Sequence, residues 1–121
     1  MPDYKGDITL ASSVRNLDES IAWFKEILGF ELVFRADEAG WAEITTPNGD
    51  VTIGLGVNEE VQGEGGTTPV FGVGNIASSR AELEEKGVSF DGDTVEIPGM
   101  VKLATFYDPD GNAYMLAESL N

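Results

Sequence analysis

The sequence contains no cysteine and no histidine. Without thiols the chain has no disulfide, no thiolate nucleophile and no thiolate zinc site. Without imidazole it lacks the commonest general base and a common metal ligand. These two absences exclude most of the familiar sets of catalytic side chains.

Basic residues are also scarce, since 7 Lys and Arg stand against 22 Asp and Glu, for a net charge of -15. A chain of this charge repels phosphate backbones and anionic membranes, so we expect neither nucleic acid nor a membrane as its partner. The acidity has two interpretations that stay open at this point. It attracts a cationic ligand, or it only keeps the surface solvated.

Long apolar runs are missing, and the N-terminus has no basic segment followed by an apolar stretch as a signal peptide would. We therefore predict a cytoplasmic protein. Hydrophobic residues make up 41% and charged residues 24% of the 121 positions, which are close to globular averages. This length predicts a single domain, residues 1–121, with a modest core.

What the chain does contain is an internal repeat. Val14 and Val73 open two segments that match at an offset of 59 residues. Two turn motifs, Pro-Asn-Gly-Asp at 47–50 and Pro-Asp-Gly-Asn at 109–112, match at an offset of 62. The matched pairs in the first stretch are Asn16 with Asn75, Ser20 with Ser79, Ala22 with Ala81, Phe24 with Leu83, and Glu26 with Glu85. The repeat predicts module one at about 7–61, a linker at about 62–68 and module two at about 69–120.

Each module is predicted to run strand, helix, strand, strand, strand. Asn16 and Asn75 follow short β-favouring runs and suit helix N-caps, and Gly29 and Gly87 end the two helical patterns. The glycines of the two turn motifs are predicted to take positive φ. The predicted strands lie at about 8–13, 30–35, 41–46, 51–57, 70–73, 89–95, 102–107 and 113–118, and the predicted helices at about 17–28 and 77–86.

Four runs carry a family resemblance: Val-Arg-Asn-Leu-Asp-Glu-Ser at 14–20, Trp-Phe at 23–24, Leu-Gly-Phe at 28–30 and Phe-Tyr-Asp-Pro-Asp-Gly-Asn at 106–112. With the repeat, they resemble the vicinal oxygen chelate superfamily of glyoxalase I, bleomycin resistance proteins and extradiol dioxygenases. The resemblance implies an α+β fold in which two βαβββ modules form cupped mixed sheets around a ligand cavity, commonly in a homodimer. Whether the modules pair within one chain or swap between chains stays open.

In metal-dependent members of that superfamily, one ligand lies on the first strand and one on the last strand of each module, usually His or Gln followed by Glu. These positions fall here on Thr9, Ile53, Thr68 and Met115. Hydroxyl, alkyl and thioether groups cannot hold a divalent cation that needs carboxylate, imidazole or thiolate donors. We therefore predict no metal and no cofactor, with a metal-dependent glyoxalase-like or dioxygenase-like enzyme as the last alternative.

Alternation along the strands predicts which side chains line the implied cavity. Met115 faces it, Ile53 brings Leu55 with it, and the 62-residue offset makes Glu43 the counterpart of Thr105. The predicted lining is apolar with few polar groups. The predicted ligand-binding residues are Thr9, Trp41, Glu43, Ile53, Leu55, Thr68, Leu103, Thr105, Tyr107 and Met115.

This lining suits an organic ligand with a flat aromatic part or a cationic end. The first hypothesis is a metal-free small-molecule binding protein that confers antibiotic resistance by bleomycin-resistance-type sequestration. The second is a metal-independent isomerase or lyase in which Glu43 is the general base, with Tyr107 or a Thr hydroxyl as its partner. The third is a scaffold whose cavity is vestigial.

Bland structural interpretations of the same residues also stay open. In these interpretations Trp41 and Met115 do no more than fill the interior, and Glu43 lies at a solvated rim. Trp23, beside Phe24 on the predicted helix, is expected to pack in the core or at an interface.

Overall fold

A computed structural model of the protein describes residues 5–58 and 68–120. The chain divides into two compact units, Met1–Val61 and Gln62–Asn121. Each unit has its own sheet and its own helix. The predicted linker at 62–68 lies outside the described residues except for Thr68, and the single-domain organisation stays a prediction.

Module one contains one four-stranded mixed sheet, sheet one, with the strand order β1-β4-β3-β2. The strands β1 and β4 are parallel, and the other neighbours are antiparallel. The helix α1 continues directly into a π-helical segment, and a short 3-10 turn joins β2 to β3. The elements are β1 (Ile8–Val14), α1 (Leu17–Trp23), the π-helical segment (Phe24–Leu28), β2 (Leu32–Ala36), the 3-10 turn (Asp37–Ala39), β3 (Trp41–Thr45) and β4 (Val51–Val57).

Module two repeats this topology in sheet two, whose strand order is β5-β8-β7-β6. Its first and last strands are again parallel, and the other neighbours are antiparallel. The elements are β5 (Val70–Gly72), α2 (Ile76–Glu85), β6 (Val95–Ile97), β7 (Val101–Tyr107) and β8 (Ala113–Ser119). The two βαβββ units predicted from the repeat are therefore present.

Both helices begin at the predicted asparagine caps. The Asn16 side chain accepts a hydrogen bond from the backbone N–H of Glu19 at 2.9 Å, and the Asn75 side chain accepts one from Ser78 at 3.0 Å. Each cap satisfies a backbone donor that has no partner within the helix. The first helical stretch ends at Gly29, whose φ of 77° is left-handed, as predicted.

Each helix packs on one face of its own sheet, and the core of each module lies between them. We call the opposite face of each sheet its helix-free face. The buried apolar residues of module one are Val14, Leu17, Phe24, Phe30, Ala42, Ile44, Ile53 and Leu55. Those of module two are Ile76, Leu83, Val88, Ala104, Phe106, Tyr114 and Leu116.

The second strand of module two is shorter and later than predicted. The expected strand at 89–95 is reduced to one isolated bridge at Phe90, and β6 begins at Val95. Arg80 on α2 supplies the reason, because its guanidinium donates to the carbonyl of Gly92 at 2.7 Å and lies 4.6 Å from the ring centre of Phe90. Residues 89–91 stay hydrogen-bonded to β7, through Tyr107 N–H to the Ser89 carbonyl at 3.2 Å and Asp91 N–H to the Thr105 carbonyl at 2.8 Å. The bond from Arg80 then holds the chain at Gly92 against the helix, and regular pairing resumes only at Val95.

The two β-hairpins that end the modules differ by one residue. In module one Thr45 pairs with Thr52, so six residues lie between the paired positions. In module two Tyr107 pairs with Ala113, so only five lie between them. Because the side chains of a strand alternate between its faces, a difference of one residue changes which residues of β4 share a face with β3.

The shorter turn of module two is built around a buried carboxylate. Asp108, only 5% exposed, accepts hydrogen bonds from the backbone N–H groups of Asp110 at 2.9 Å and Asn112 at 2.8 Å. In this turn Gly111 has a φ of 84°, as predicted. Gly49, in the longer turn, does not have positive φ, so that prediction is wrong for module one.

Replacing Asp108 by Asn is expected to change how stability depends on pH. Burial raises the pKa of the Asp108 carboxyl above its usual 3.8, although hydrogen bonds from Asn112 and Asp110 lower it. The folded state therefore holds the proton more tightly than the unfolded state does. The resulting stabilisation is fully present below about pH 3.8 and is lost as the pH rises through the raised pKa.

The Asp108→Asn variant has no such proton to lose. Its free energy of unfolding, relative to that of the unchanged protein, is thus expected to rise with pH across this window. Urea denaturation at a series of pH values measures the difference. A difference that does not vary with pH contradicts the prediction.

Candidate functional site

The helix-free face of sheet one carries two of the predicted site residues side by side. Trp41 and Glu43 lie two positions apart on β3, so both point to the same face. Across the sheet Trp41 pairs with Gly56 and Glu43 pairs with Gly54 on β4. An aromatic ring and a carboxylate therefore lie next to a strand that is bare of side chains at two positions.

The indole of Trp41 occupies the space that these glycines leave. A Cβ atom added at Gly54 would overlap the far edge of the indole, and one added at Gly56 would lie 3.4 Å from it. The ring thus lies over the backbone of β4. Glycine inside a strand often marks such a close approach, because any larger residue would displace the neighbouring group.

A chain of hydrogen bonds joins three strands on this face. The Glu43 carboxylate accepts one bond from Trp41 Nε1 and one from Thr52 Oγ1, each 3.0 Å long. Thr52 Oγ1 also lies 3.0 Å from Thr9 Oγ1. Since an ionised carboxylate only accepts, the Thr52 proton goes to Glu43, and Thr9 must donate to Thr52. The carboxylate is held in place and keeps free acceptor positions.

Phe34 belongs to the same face but is not among the residues predicted from the sequence. It pairs with Glu43 across β2 and β3, and it is 47% exposed. Glu43 therefore lies between two aromatic residues, Trp41 on its own strand and Phe34 on the next. The 3-10 turn that pairs Ala36 with Trp41, followed by alternation back along β2, is the signal that could have found it.

The predicted positions of Ile53 and Leu55 are wrong. Ile53 pairs with Ile44 and Leu55 with Ala42, and all four are fully buried on the face that packs against α1. The longer first hairpin is the physical reason, because it moves β4 by one residue relative to the turn glycine. These two residues are core, and Gly54 takes the place expected for Ile53.

The predicted residues of module two share one face of sheet two. Thr105 pairs with Met115 across β7 and β8, and Leu103 and Tyr107 alternate with Thr105 along β7. All four are half-buried and lie on the helix-free face. Thr68 is exposed and precedes β5, so it is not part of a strand.

Tyr107 is the most polar group of the module-two set. Burial raises the pKa of its phenol, and the charge of Asp91 and a hydrogen bond to that carboxylate raise it further. The hydroxyl therefore stays protonated well into alkaline conditions. With the Thr105 hydroxyl, it is one of the polar groups among Leu103 and Met115 on this face.

A separate cavity of about 340 Å³ opens at the start of α1. Its most prominent charged group is Arg35, which forms ion pairs with Asp18 and Asp37, each at 2.6 Å. The guanidinium is already compensated by two carboxylates, so it offers little to an anionic ligand. The residues around the cavity are Arg15, Asn16, Leu17, Asp18, Arg35, Asp37, Gly40 and Val57.

Comparison with known protein families identifies the superfamily of the chain. The sequence model of the Glyoxalase/Bleomycin resistance protein/Dioxygenase superfamily matches residues 9–116. The chain belongs to this superfamily. The match spans both modules, so the resemblance drawn from the sequence motifs and the predicted fold are confirmed. No curated protein matches the chain.

Solved structures that are similar to the chain agree with it in fold. A member from Sphaerobacter thermophilus DSM 20745 is 24% identical, with a TM-score of 0.78, over 93% of this chain and 96% of that chain. TnmS3, an antibiotic binding protein from Streptomyces sp. CB03234, is 21% identical, with a TM-score of 0.77, over 98% and 99%. The fosfomycin resistance protein FosX from Listeria monocytogenes is 16% identical, with a TM-score of 0.77, over 98% and 95%. At these identities the likeness shows the fold alone.

The side chains at the superfamily's metal positions do not suit a divalent cation. With the corrected register, these positions hold Thr9 and Gly54 in module one and Thr68 and Met115 in module two. Together they offer two hydroxyls, a thioether and no side chain at Gly54, which is a poor donor set for such an ion. Within residues 5–58 and 68–120, no group of three or more Asp or Glu side chains is placed to hold a metal ion.

The described part of the chain contains no helix that is long and apolar enough to span a membrane.

Proposed function

We propose that the protein binds a small organic molecule with a flat aromatic part on the helix-free face of sheet one. The arrangement of Trp41 over Gly54, with its indole N–H bonded to the Glu43 carboxylate, is the observation that carries this proposal. Because the hydrogen bond to Glu43 and the packing on β4 fix the orientation of the Trp41 indole before a ligand binds, the ring offers a stacking surface at low entropic cost.

Sequestration is the action that this site supports best. The donor set at the superfamily's metal positions gives no reason to route chemistry through an ion, whereas an aromatic residue and a carboxylate on one face suit recognition. TnmS3, which has the same fold, is described as an antibiotic binding protein. We propose the same kind of role here, with resistance through binding, in a cytoplasmic homodimer.

Titration with a panel of aromatic compounds, followed by tryptophan fluorescence, tests the proposal. We expect a saturable change that is lost in Trp41→Phe, because Trp41 is the residue in contact with the ligand. Trp23→Phe is the matched control, since the chain has 2 tryptophans. The other one, Trp23, packs edge-on against Phe24 at 4.9 Å on the helix side.

Trp23→Phe should retain the response. A flat response across the panel contradicts the proposal. So does a response that survives in Trp41→Phe and disappears in Trp23→Phe.

A second candidate is a metal-independent isomerase or lyase with Glu43 as general base. The 3.0 Å hydrogen bond from Thr52 to Glu43 favours it, because it orients the carboxylate and leaves acceptor positions for a substrate proton. The two functions differ in what happens to the ligand. Recovery of the ligand unchanged after prolonged incubation supports sequestration, and its conversion supports the enzyme.

A further inference from the structure

We infer that the ligand is an aromatic cation whose positive charge lies against the Glu43 carboxylate. This inference rests on the proposed function and specifies its ligand class. Trp41 and the sheet backbone would accept any flat molecule, whether neutral or charged. The surroundings of Glu43 favour a cation, because neutral donors and aromatic rings lie beside it and, among the described residues, no cationic side chain does.

Glu43 has only neutral hydrogen-bond donors. Its two oxygens accept from the indole N–H of Trp41 and from the hydroxyl of Thr52. All 7 Lys and Arg residues of the chain lie in the part that the structure describes. None of the ion pairs found there includes Glu43. Among residues 5–58 and 68–120, the half-buried carboxylate therefore has no charged partner.

The positions around Glu43 on this face supply no cation either. Its nearest register partners are Gly54 on β4 and Phe34 on β2, and its neighbours along β3 on the same face are Trp41 and Thr45. Two aromatic faces beside an uncompensated carboxylate are an arrangement that favours a positive charge. The rings attract a cation through their quadrupoles, and the carboxylate attracts it directly.

Two further features agree with a cationic ligand. A carboxylate has about four acceptor positions, and Trp41 and Thr52 use two of them, so hydrogen-bond donors on a ligand can still be accepted. The net charge of -15 concentrates cations near the surface and speeds their encounter with the protein. The Glu43 carboxylate then favours the positively charged ones among flat molecules, which Trp41 alone would not distinguish by charge.

Matched pairs of ligands that differ only in charge test the inference. We would use quinoline with N-methylquinolinium and acridine with N-methylacridinium, in mildly alkaline buffer where the parent compounds are neutral. Each cation is expected to bind roughly tenfold more tightly than its neutral counterpart, as one partly screened charge pair would give. In Glu43→Gln the ratio of cation affinity to neutral affinity should fall roughly tenfold, to about one, because the amide oxygen still accepts hydrogen bonds but carries no charge.

Glu26→Gln is the matched control, because it removes the same charge from an exposed position on the π-helical segment. It should retain the preference for cations. An equal loss of preference in both variants would assign the effect to the overall charge and overturn the inference. If each cation and its neutral counterpart bind equally, the inference of a cationic ligand is overturned but the proposed function is not. If none of the four compounds binds, both are overturned.

Discussion

Replacing Gly54 by Ala is expected to displace the Trp41 indole and weaken ligand binding on sheet one. A methyl group at Gly54 would overlap the far edge of the ring and would approach the Thr9 methyl group to 3.1 Å. Forcing an extra methyl group into a packed contact typically costs about 1–3 kcal/mol. The displaced indole also loses its hydrogen bond to Glu43. We expect the affinity for aromatic ligands to fall at least about tenfold.

The test is a double-mutant cycle read by urea denaturation and ligand titration. In a Trp41→Ala background, Gly54→Ala should cost much less stability, since the ring that it strikes is gone. Gly72→Ala is the control for a strand glycine, because a Cβ atom there meets nothing within 4 Å. It should change neither stability nor affinity appreciably. Equal costs of Gly54→Ala in the two backgrounds would show that Trp41 does not lie over Gly54.

Replacing Phe106 by Ala is expected to have the largest effect on stability. Phe106 is fully buried between Tyr114 and Phe90, with ring centres 5.7 Å and 5.6 Å away. Removing such a ring leaves a cavity in addition to the lost burial, at a typical cost of about 3–5 kcal/mol. This cost is a large part of the free energy of unfolding of a typical protein, which is about 5–15 kcal/mol. Urea denaturation followed by far-ultraviolet circular dichroism measures the loss.

Phe34→Ala removes the same atoms from a position that is 47% exposed. It should cost less than about 1 kcal/mol, because exposed substitutions rarely cost more. It is nevertheless expected to weaken aromatic ligands, since Phe34 lies beside Glu43. If the two substitutions destabilise the protein equally, the assignment of Phe106 to the core is wrong.

The fold could be predicted from the sequence because interactions between residues close together in the chain specify much of it. Asn16 and Asn75 cap helices by bonding backbone groups three residues away, and Gly29 ends a helix through its own φ. Such signals need no knowledge of the rest of the chain. Their recurrence at a nearly constant offset then indicated two modules with the same order of elements.

The residues of β4 that lie on the helix-free face could not be predicted in the same way. The two turn motifs align residue by residue, and that alignment placed Ile53 where Met115 lies in module two. The hairpin of module one contains one more residue between its paired positions, so Gly54 occupies that place instead. Pairing depends on contacts between strands, and a shift of one residue reverses the faces without altering the pattern of the motif.

Long-range contacts account for the remaining errors. Phe34 is found on the site face only once β2 is paired with β3, and a bulge between Leu32 and Phe34 makes simple alternation unreliable there. The predicted strand at 89–95 is interrupted after Asp91, because Arg80, on a helix that precedes it, binds the carbonyl of Gly92. Both effects depend on contacts between different elements of the chain.

The longer first hairpin also offers an attachment point for an optical probe of the proposed binding. Gly49 lies at the exposed tip of the turn, has no positive φ, and leaves open space where a Cβ atom would be. Because the chain has no cysteine, Gly49→Cys would create its sole thiol, to which one dye can be attached without competing labels. The hairpin that carries the dye also carries Glu43 and Thr52, so ligand occupancy could be reported optically without labelling the binding face itself.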